Sequence, residues 1–315
     1  MPPSDRPVAL VTGASRGLGF LLARELADRG HDLLLSARDG LGPARADLAA
    51  RGARVVTHEA DVGRPESAAE LVALAEREFG RLDVLVANAG VIQVGPQPDL
   101  RDDDYVQAMD VMFWGLARPA LAALPLLART GGRILAVTSI GRKLPAPHLL
   151  PYGAAKHAAV GFAEGLRLEA GRRGVSVTVG VPGLMRTGST RNALITGDAV
   201  AARAWFTVGA SVPLLSIDAE RAARRLVRAT LRGTPEIILT PLAHLGSRVH
   251  ALAPSTTLRL LTAVERLLPA PTGTDAPARP AHTAPLPAWL RKLTGLDRAA
   301  AQRWHEYTDP APGGR

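Results

Sequence analysis

The chain has 315 residues, 47% of them hydrophobic, with no cysteine and a formal net charge of +9. That length suits one large α/β domain or two small ones, and the apolar fraction excludes disorder for most of it. Disulfides, thiolate metal sites and cysteine nucleophiles are excluded, and the positive charge, nearly all arginine with only 4% aromatics and none among the basic runs, argues against a nucleic-acid partner.

The N-terminal stretch MPPSDRPVALVTG lacks the apolar region of a signal peptide. No uninterrupted apolar run approaches ~18 residues, so no transmembrane helix is expected and a cytoplasmic location is. A strand at 8–11 is followed by a helix near 17–29, and a strand at 32–36 by a helix near 40–51. The strand at 54–57 precedes a helix near 66–78, and the strand at 83–87 leads to a long helix near 102–127. A strand at 133–138 precedes a helix near 151–173, and strands at 175–181 and 236–240 close the series.

These strands are near-continuous hydrophobic runs, as in strands covered on both faces. Their alternation with helices gives right-handed crossovers and an α/β doubly wound parallel sheet of Rossmann type, with its ligand site at the carboxyl ends of the strands. Residues 188–212 are longer than a plain connection and are a lid candidate. The chain divides into a catalytic domain over 1–240, a helical extension over 241–268, a Pro/Ala-rich linker over 269–285 without core-forming capacity, and a C-terminal helix and tail over 286–315.

At the end of the first strand stands Thr12-Gly13-Ala14-Ser15-Arg16-Gly17-Leu18-Gly19. Glycines let the backbone turn and approach a pyrophosphate, which a helix N-terminus favours. Gly13, Ser15, Arg16, Gly17, Leu18 and Gly19 are therefore cofactor candidates. The second strand ends in Ser36-Ala37-Arg38, with no carboxylate to bind an adenosine ribose. Arg16 and Arg38 can instead fork onto a phosphate, which favours NADP(H) over NAD(H). Asp39, one residue later, is read as the cap of the next helix.

Tyr152 and Lys156, four apart on a helix, share a face. A neighbouring ammonium stabilises phenolate, so Tyr152 can exchange a proton with a substrate oxygen near neutral pH. Ser139, at a strand's carboxyl end, can hydrogen-bond the same oxygen. Ser139, Tyr152 and Lys156 are the catalytic candidates.

Taken in order, the glycine loop, Asp61-Val62, Asn88-Ala89-Gly90, Ser139, Tyr152-xxx-Lys156 and Pro182-Gly183-Leu-Met-Arg-Thr187 resemble the short-chain dehydrogenase/reductase family over about residues 6–240. The resemblance implies an NADP(H)-dependent oxidoreductase interconverting a carbonyl and a secondary alcohol. It implies adenine contacts from Asp61 and Val62 and a ribose lining from Asn88, Ala89 and Gly90. Pro182, Gly183 and Thr187 would seat the nicotinamide. Tyr152 and Lys156 would also touch the cofactor, the lysine holding its nicotinamide ribose. A homo-oligomer is implied as well. By residues alone, Asp61 could equally cap a strand end and Pro182-Gly183 could be a turn.

Two departures stand out. Met112 occupies the place where family members carry an asparagine that steadies a local helix distortion and whose backbone carbonyl holds a relay water. Ala155 stands where serine commonly precedes the lysine. A retained but slowed proton relay is expected, since methionine cannot hydrogen-bond the helix. The alternative is a non-catalytic NADP(H)-binding scaffold or redox sensor of the same fold.

His148, Met185, Trp205 and Phe206 are the substrate candidates, and their mostly apolar neighbourhood suits a ketone, aldehyde or secondary alcohol. His244 and His250 have no carboxylate or thiolate cluster nearby, so no metal site is assigned. The leucine- and arginine-rich segment 241–268 is read as packing on the domain or on a subunit partner, with peripheral membrane contact as the alternative. Trp289, Trp304 and Tyr307 in the tail would close the pocket or dock on a neighbour.

Overall fold

The computed structural model describes residues 5–211, 216–285, 290 and 295–306. The first half alternates strands β1 (Val8–Thr12), β2 (Asp32–Ala37), β3 (Val55–Glu59) and β4 (Val84–Ala87) with helices α1 (Gly17–Ala27), α2 (Leu41–Ala50) and α3 (Pro65–Phe79). A short strand β5 (Gln93–Val94) leads to α4 (Asp102–Met109) and α5 (Gly115–Ala128). Then come β6 (Arg133–Val137), α6 (Leu150–Ala170), β7 (Ser176–Val181), β8 (Leu184–Arg186), β9 (Leu194–Ile195), α7 (Ala199–Ser211), β10 (Ser216–Asp218), α8 (Ala219–Leu231) and β11 (Glu236–Ile238).

Seven strands form one parallel sheet in the order β3-β2-β1-β4-β6-β7-β11, the doubly wound arrangement expected from the alternation. Every residue of β1 and β2 is buried, because helices cover both faces of the sheet. One face packs Phe79, Leu127 and Leu166 from α3, α5 and α6; the other packs Leu22, Leu48 and Leu226 from α1, α2 and α8. Strand order runs outward in opposite directions from the β1–β4 pair, which opens a crevice at their carboxyl ends.

Local chemistry sets the element ends. Helix α3 opens on Pro65, whose missing N–H costs nothing there, and closes on Gly80 in the left-handed conformation. Asp218 caps α8 by accepting from Arg221 N at 2.9 Å. Helix α8 stands before the last strand, where the sequence reading places no element; its Ala222, Ala223, Leu226 and Val227 form the buried stripe. The long helix near 102–127 is interrupted by a π-turn at Asp110–Trp114. Asp102–Ala128 is long and apolar enough to cross a membrane, yet Leu116, Ala120, Ala123 and Leu127 pack into the core against the sheet.

The C-terminal segments differ from expectation in two ways. Residues 241–268 form α9 (Pro241–Leu252) and α10 (Pro254–Glu265), and among their residues only Ala243 and Thr257 are buried. Leu242, Leu245, Val249 and Leu252, spaced three, four and three apart on one side of α9, are exposed. Packing against this domain therefore does not account for that stripe. The Pro/Ala-rich stretch, in contrast, does join the core. The buried Asp99 carboxylate accepts from Thr272 N, Thr272 Oγ1 and Gly273 N at 2.9, 3.2 and 2.7 Å. Strand β12 (Arg279–Pro280) pairs with β9, and Ala281 and Ala284 are buried beside Phe206. Composition undervalues the stretch because its anchors are a partner carboxylate and small alanines. The final helix runs Gly295–Arg303, whereas Trp289 and Tyr307 lie outside the described residues.

Candidate active site

Thr12 ends β1, and its hydroxyl accepts from Asn88 N and Ala89 N at 3.1 and 3.2 Å. The Asn88 amide donates back to Thr12 O and Gly13 O at 3.1 and 3.2 Å, stapling the ends of β1 and β4 together. Asn88 is thus committed to holding the loop. Gly13 has φ +64°, and a Cβ on Gly19 would overlap Gly13 O, so the loop closes on α1 only with glycine at these positions. Gly17, at the first turn of α1, is likewise a position where any side chain would fill the space above the backbone. This cradle fits a phosphate oxygen: a helix N-terminus with bare Cα beneath and Arg16 beside it.

The remaining cofactor candidates line the same strand ends. Arg38 is exposed past β2. Asp39 does not cap α2, because Gly40, with φ +71°, takes the N-cap position and no side-chain cap forms. Asp61 Oδ1 accepts from Gly63 N at 2.9 Å and its carbonyl accepts from Ser67 Oγ at 2.7 Å, so it shapes the turn into α3. Val62 packs towards Gly115. Pro182 O accepts from Ile140 N at 2.9 Å, which brings the Pro-Gly turn against the Ser139 loop. Thr187 Oγ1 accepts from Ser189 N at 3.1 Å.

Ser139 leaves β6 and caps a short 3-10 turn, its Oγ accepting from Gly141 N at 3.2 Å. Helix α6 brings Tyr152 to it, and the two side chains share a hydrogen bond. Lys156, one turn on, is buried; its Nζ donates to Val137 O at 2.9 Å and lies 5.8 Å from the Tyr152 ring centroid. The three candidates therefore meet at one point.

Their electrostatics differ from the simple expectation. Burial pushes the Tyr152 phenol above its ordinary value, and the bond to Ser139 offsets this only in part. Burial also lowers Lys156 to about 8. The expected lowering of Tyr152 by its neighbour is absent here for a geometric reason. Desolvation acts on both groups, and the ammonium points a proton at Val137 rather than at the phenol oxygen.

Met112 sits in the π-turn and is buried with Ala108 and Ala155, beside Val91 and Tyr152. The helix distortion thus forms without an asparagine side chain. The two departures from the family pattern touch the same apolar cluster.

His148, Trp205 and Phe206 come together, with ring centroids 6.0 and 5.7 Å apart in sequence, above a patch of Ile92, Val94 and Leu149. His148 is buried with φ +61°, a conformation that is strained for a non-glycine residue. Neither of its ring nitrogens has a hydrogen-bond partner among the described residues, and burial lowers its pKa. Met185 is not part of this group and packs on the opposite core cluster. Among the described residues no group of three His, Asp or Glu side chains is placed to hold a metal.

Sequence reasoning missed two residues at the glycine loop. Glu306 Oε2 accepts from Asn192 Nδ2 at 2.6 Å and lies 3.5 Å from Arg16 Nε. No local pattern marks either one, since each reaches the loop only through the fold.

The family model for short chain dehydrogenase matches residues 7–196. An 11-beta-hydroxysteroid dehydrogenase A from Sesamum indicum is 35% identical over 72% of this chain and 66% of its own length. A putative ketoacyl reductase of the granaticin polyketide synthase from Streptomyces violaceoruber is 35% identical over 58% of this chain and 69% of its own. The chain spans between about half and two thirds of the length of its hydroxysteroid dehydrogenase relatives. A short-chain dehydrogenase structure from Streptomyces avermitilis superposes with a TM-score of 0.71 at 28% identity, covering 84% of this chain and 98% of that one. An alcohol dehydrogenase from Thermococcus sibiricus complexed with 5-hydroxy-NADP gives a TM-score of 0.61 at 27% identity, covering 74% and 95%. The sheet order, the glycine loop and these likenesses agree: the chain belongs to the short-chain dehydrogenase/reductase family.

Proposed function

We propose that this protein is an NADP(H)-dependent oxidoreductase that interconverts a carbonyl and a secondary alcohol, with Tyr152 as general acid/base. The observation that carries the reading is the buried meeting of Tyr152 with Ser139, with the Lys156 ammonium under the ring, at the carboxyl ends of the strands. The nicotinamide supplies or accepts the hydride when bound. In reduction Tyr152 donates its proton to the oxygen that becomes alkoxide, while Ser139 hydrogen-bonds the same oxygen. Lys156, charged below about pH 8, would have to turn from Val137 O to stabilise the phenolate left behind.

Gly13, Ser15, Arg16, Gly17, Leu18 and Gly19 would hold the pyrophosphate. Arg38, exposed at the end of β2, supports NADP(H) over NAD(H), and Asp39 beside it is the opposing charge. The patch around Trp205 and Phe206 supports an apolar substrate, and the hydroxysteroid and ketoacyl names of the relatives support a ketone or its alcohol. His148, whose Nε2 lies 4.0 Å from Glu265 Oε1, would orient a second polar group on it. Exposed Val106 and Leu121 along α4 and α5 support a homo-oligomer that covers them.

The test is oxidation of NADPH against a panel of ketones and aldehydes, with NADH in parallel. Tyr152→Phe should reduce kcat by roughly 100-fold or more, the usual contribution of a positioned acid, while melting at an unchanged temperature. Equal use of NADH would overturn the cofactor preference. Binding of NADPH without turnover across the panel would overturn the catalytic reading.

A further inference from the structure

The last described residues run back onto the cofactor loop. Trp304, 6% exposed, packs against the guanidinium groups of Arg24 and Arg303, each 4.8 Å from a ring centroid. His305, at φ +58°, sets its ring edge-on to Phe20 at 4.8 Å. Together they fix the backbone so that Trp304 O accepts from Gly17 N at 2.9 Å. The chain then turns Glu306 into the loop, where its side chain is 4% exposed. Its Oε1 occupies the space that a Cβ on Gly17 would need, and its Oε2 is bound by Asn192 and faces Arg16.

A carboxylate this deeply buried requires charge-assisted partners and a favourable dipole. The first turn of α1, Arg16 and Asn192 provide them. A dinucleotide pyrophosphate would use the same open N–H, the same bare Cα of Gly17 and the same arginine. Two anions cannot share that volume: contact and like-charge repulsion both forbid it.

We infer that the C-terminal segment is an autoinhibitory plug, in which Glu306 and the Trp304 carbonyl occupy the pyrophosphate position of the glycine loop and must leave before the cofactor binds. This rests on the reading of the loop as the cofactor site. The apparent affinity for dinucleotide is then the intrinsic affinity reduced by the fraction of molecules whose tail is out. Whatever draws the tail away activates the enzyme.

The test compares full-length wild type with Glu306→Gln and Trp304→Ala by NADPH and NADH titration calorimetry, together with hydrogen exchange of the tail. Glu306→Gln should tighten NADPH binding roughly tenfold, the effect of weakening one charge-assisted hydrogen bond. In the wild type, NADPH should speed exchange in the residues around 304–306. Equal affinity in all three proteins would overturn the plug and leave the cofactor reading standing. Weaker binding in the variants with slower tail exchange would overturn it in favour of a tail that closes over bound cofactor. Absence of binding to either dinucleotide in every protein would overturn the plug and the cofactor reading together. Should Trp304→Ala fail to fold, Glu306→Gln and the exchange measurement decide the matter alone.

Discussion

Replacing Lys156 by methionine should remove about 2 kcal/mol of pH dependence from folding stability between pH 8 and pH 10. The lysine titrates near 8 in the folded protein and near ~10.4 when unfolded. Between those values the unfolded chain holds more protons than the native one, so stability rises with pH. Below pH 8 the buried ammonium costs about 3 kcal/mol, and this is relieved as pH climbs towards the unfolded value. Tyr152 acts with the opposite sign above ~10, where the native state keeps a phenol proton that the unfolded chain has lost. Methionine matches the lysine stem in volume and carries no charge. The chain has only Lys143, Lys156 and Lys292, so few other groups titrate in the window. Lys143, also lowered by burial, is present in both proteins and cancels in the difference. The assay is urea unfolding of wild type and Lys156→Met at pH 7.5, 8, 9 and 10, followed by tryptophan fluorescence. Parallel stability curves would refute the reasoning and place the lysine in solvent.

Met112→Asn should lower stability by roughly 1–3 kcal/mol, because a polar amide would replace an apolar side chain in the buried cluster with Ala108 and Ala155. Adding Ala155→Ser should recover part of that loss, measured in the same urea series; a fully stable single variant would show that the cluster already offers a polar neighbour. Leu245→Glu combined with Leu252→Glu should leave the melting temperature within a degree or two, since both side chains are exposed. A large drop, or a smaller particle by light scattering, would show that another copy covers this face of α9.

The sequence by itself determined the sheet and named the candidate catalytic group. Continuous apolar runs such as Val8–Thr12 can be stable only between two layers, and that requirement is local to each strand. Tyr152 and Lys156 were legible because helical spacing places them on one face, and the order of Gly13–Gly19, Ser139 and Pro182 around them carried the resemblance. Tertiary structure decided what those residues experience. Burial, a property of the surroundings, raised Tyr152 and lowered Lys156, and the nearest acceptor turned out to be Val137 O. The role of the Pro/Ala-rich stretch hung on Asp99, more than 170 positions away in the chain. Met112 and Ala155 read as two separate departures until the packing of the π-turn against α6 joined them. Glu306 gave no signal at all, because a lone glutamate near a chain end has no periodicity and no motif. Its contact with Gly17 exists only once Trp304 is seated on α1, and that long-range packing makes the glycine loop more than the empty cradle its sequence describes.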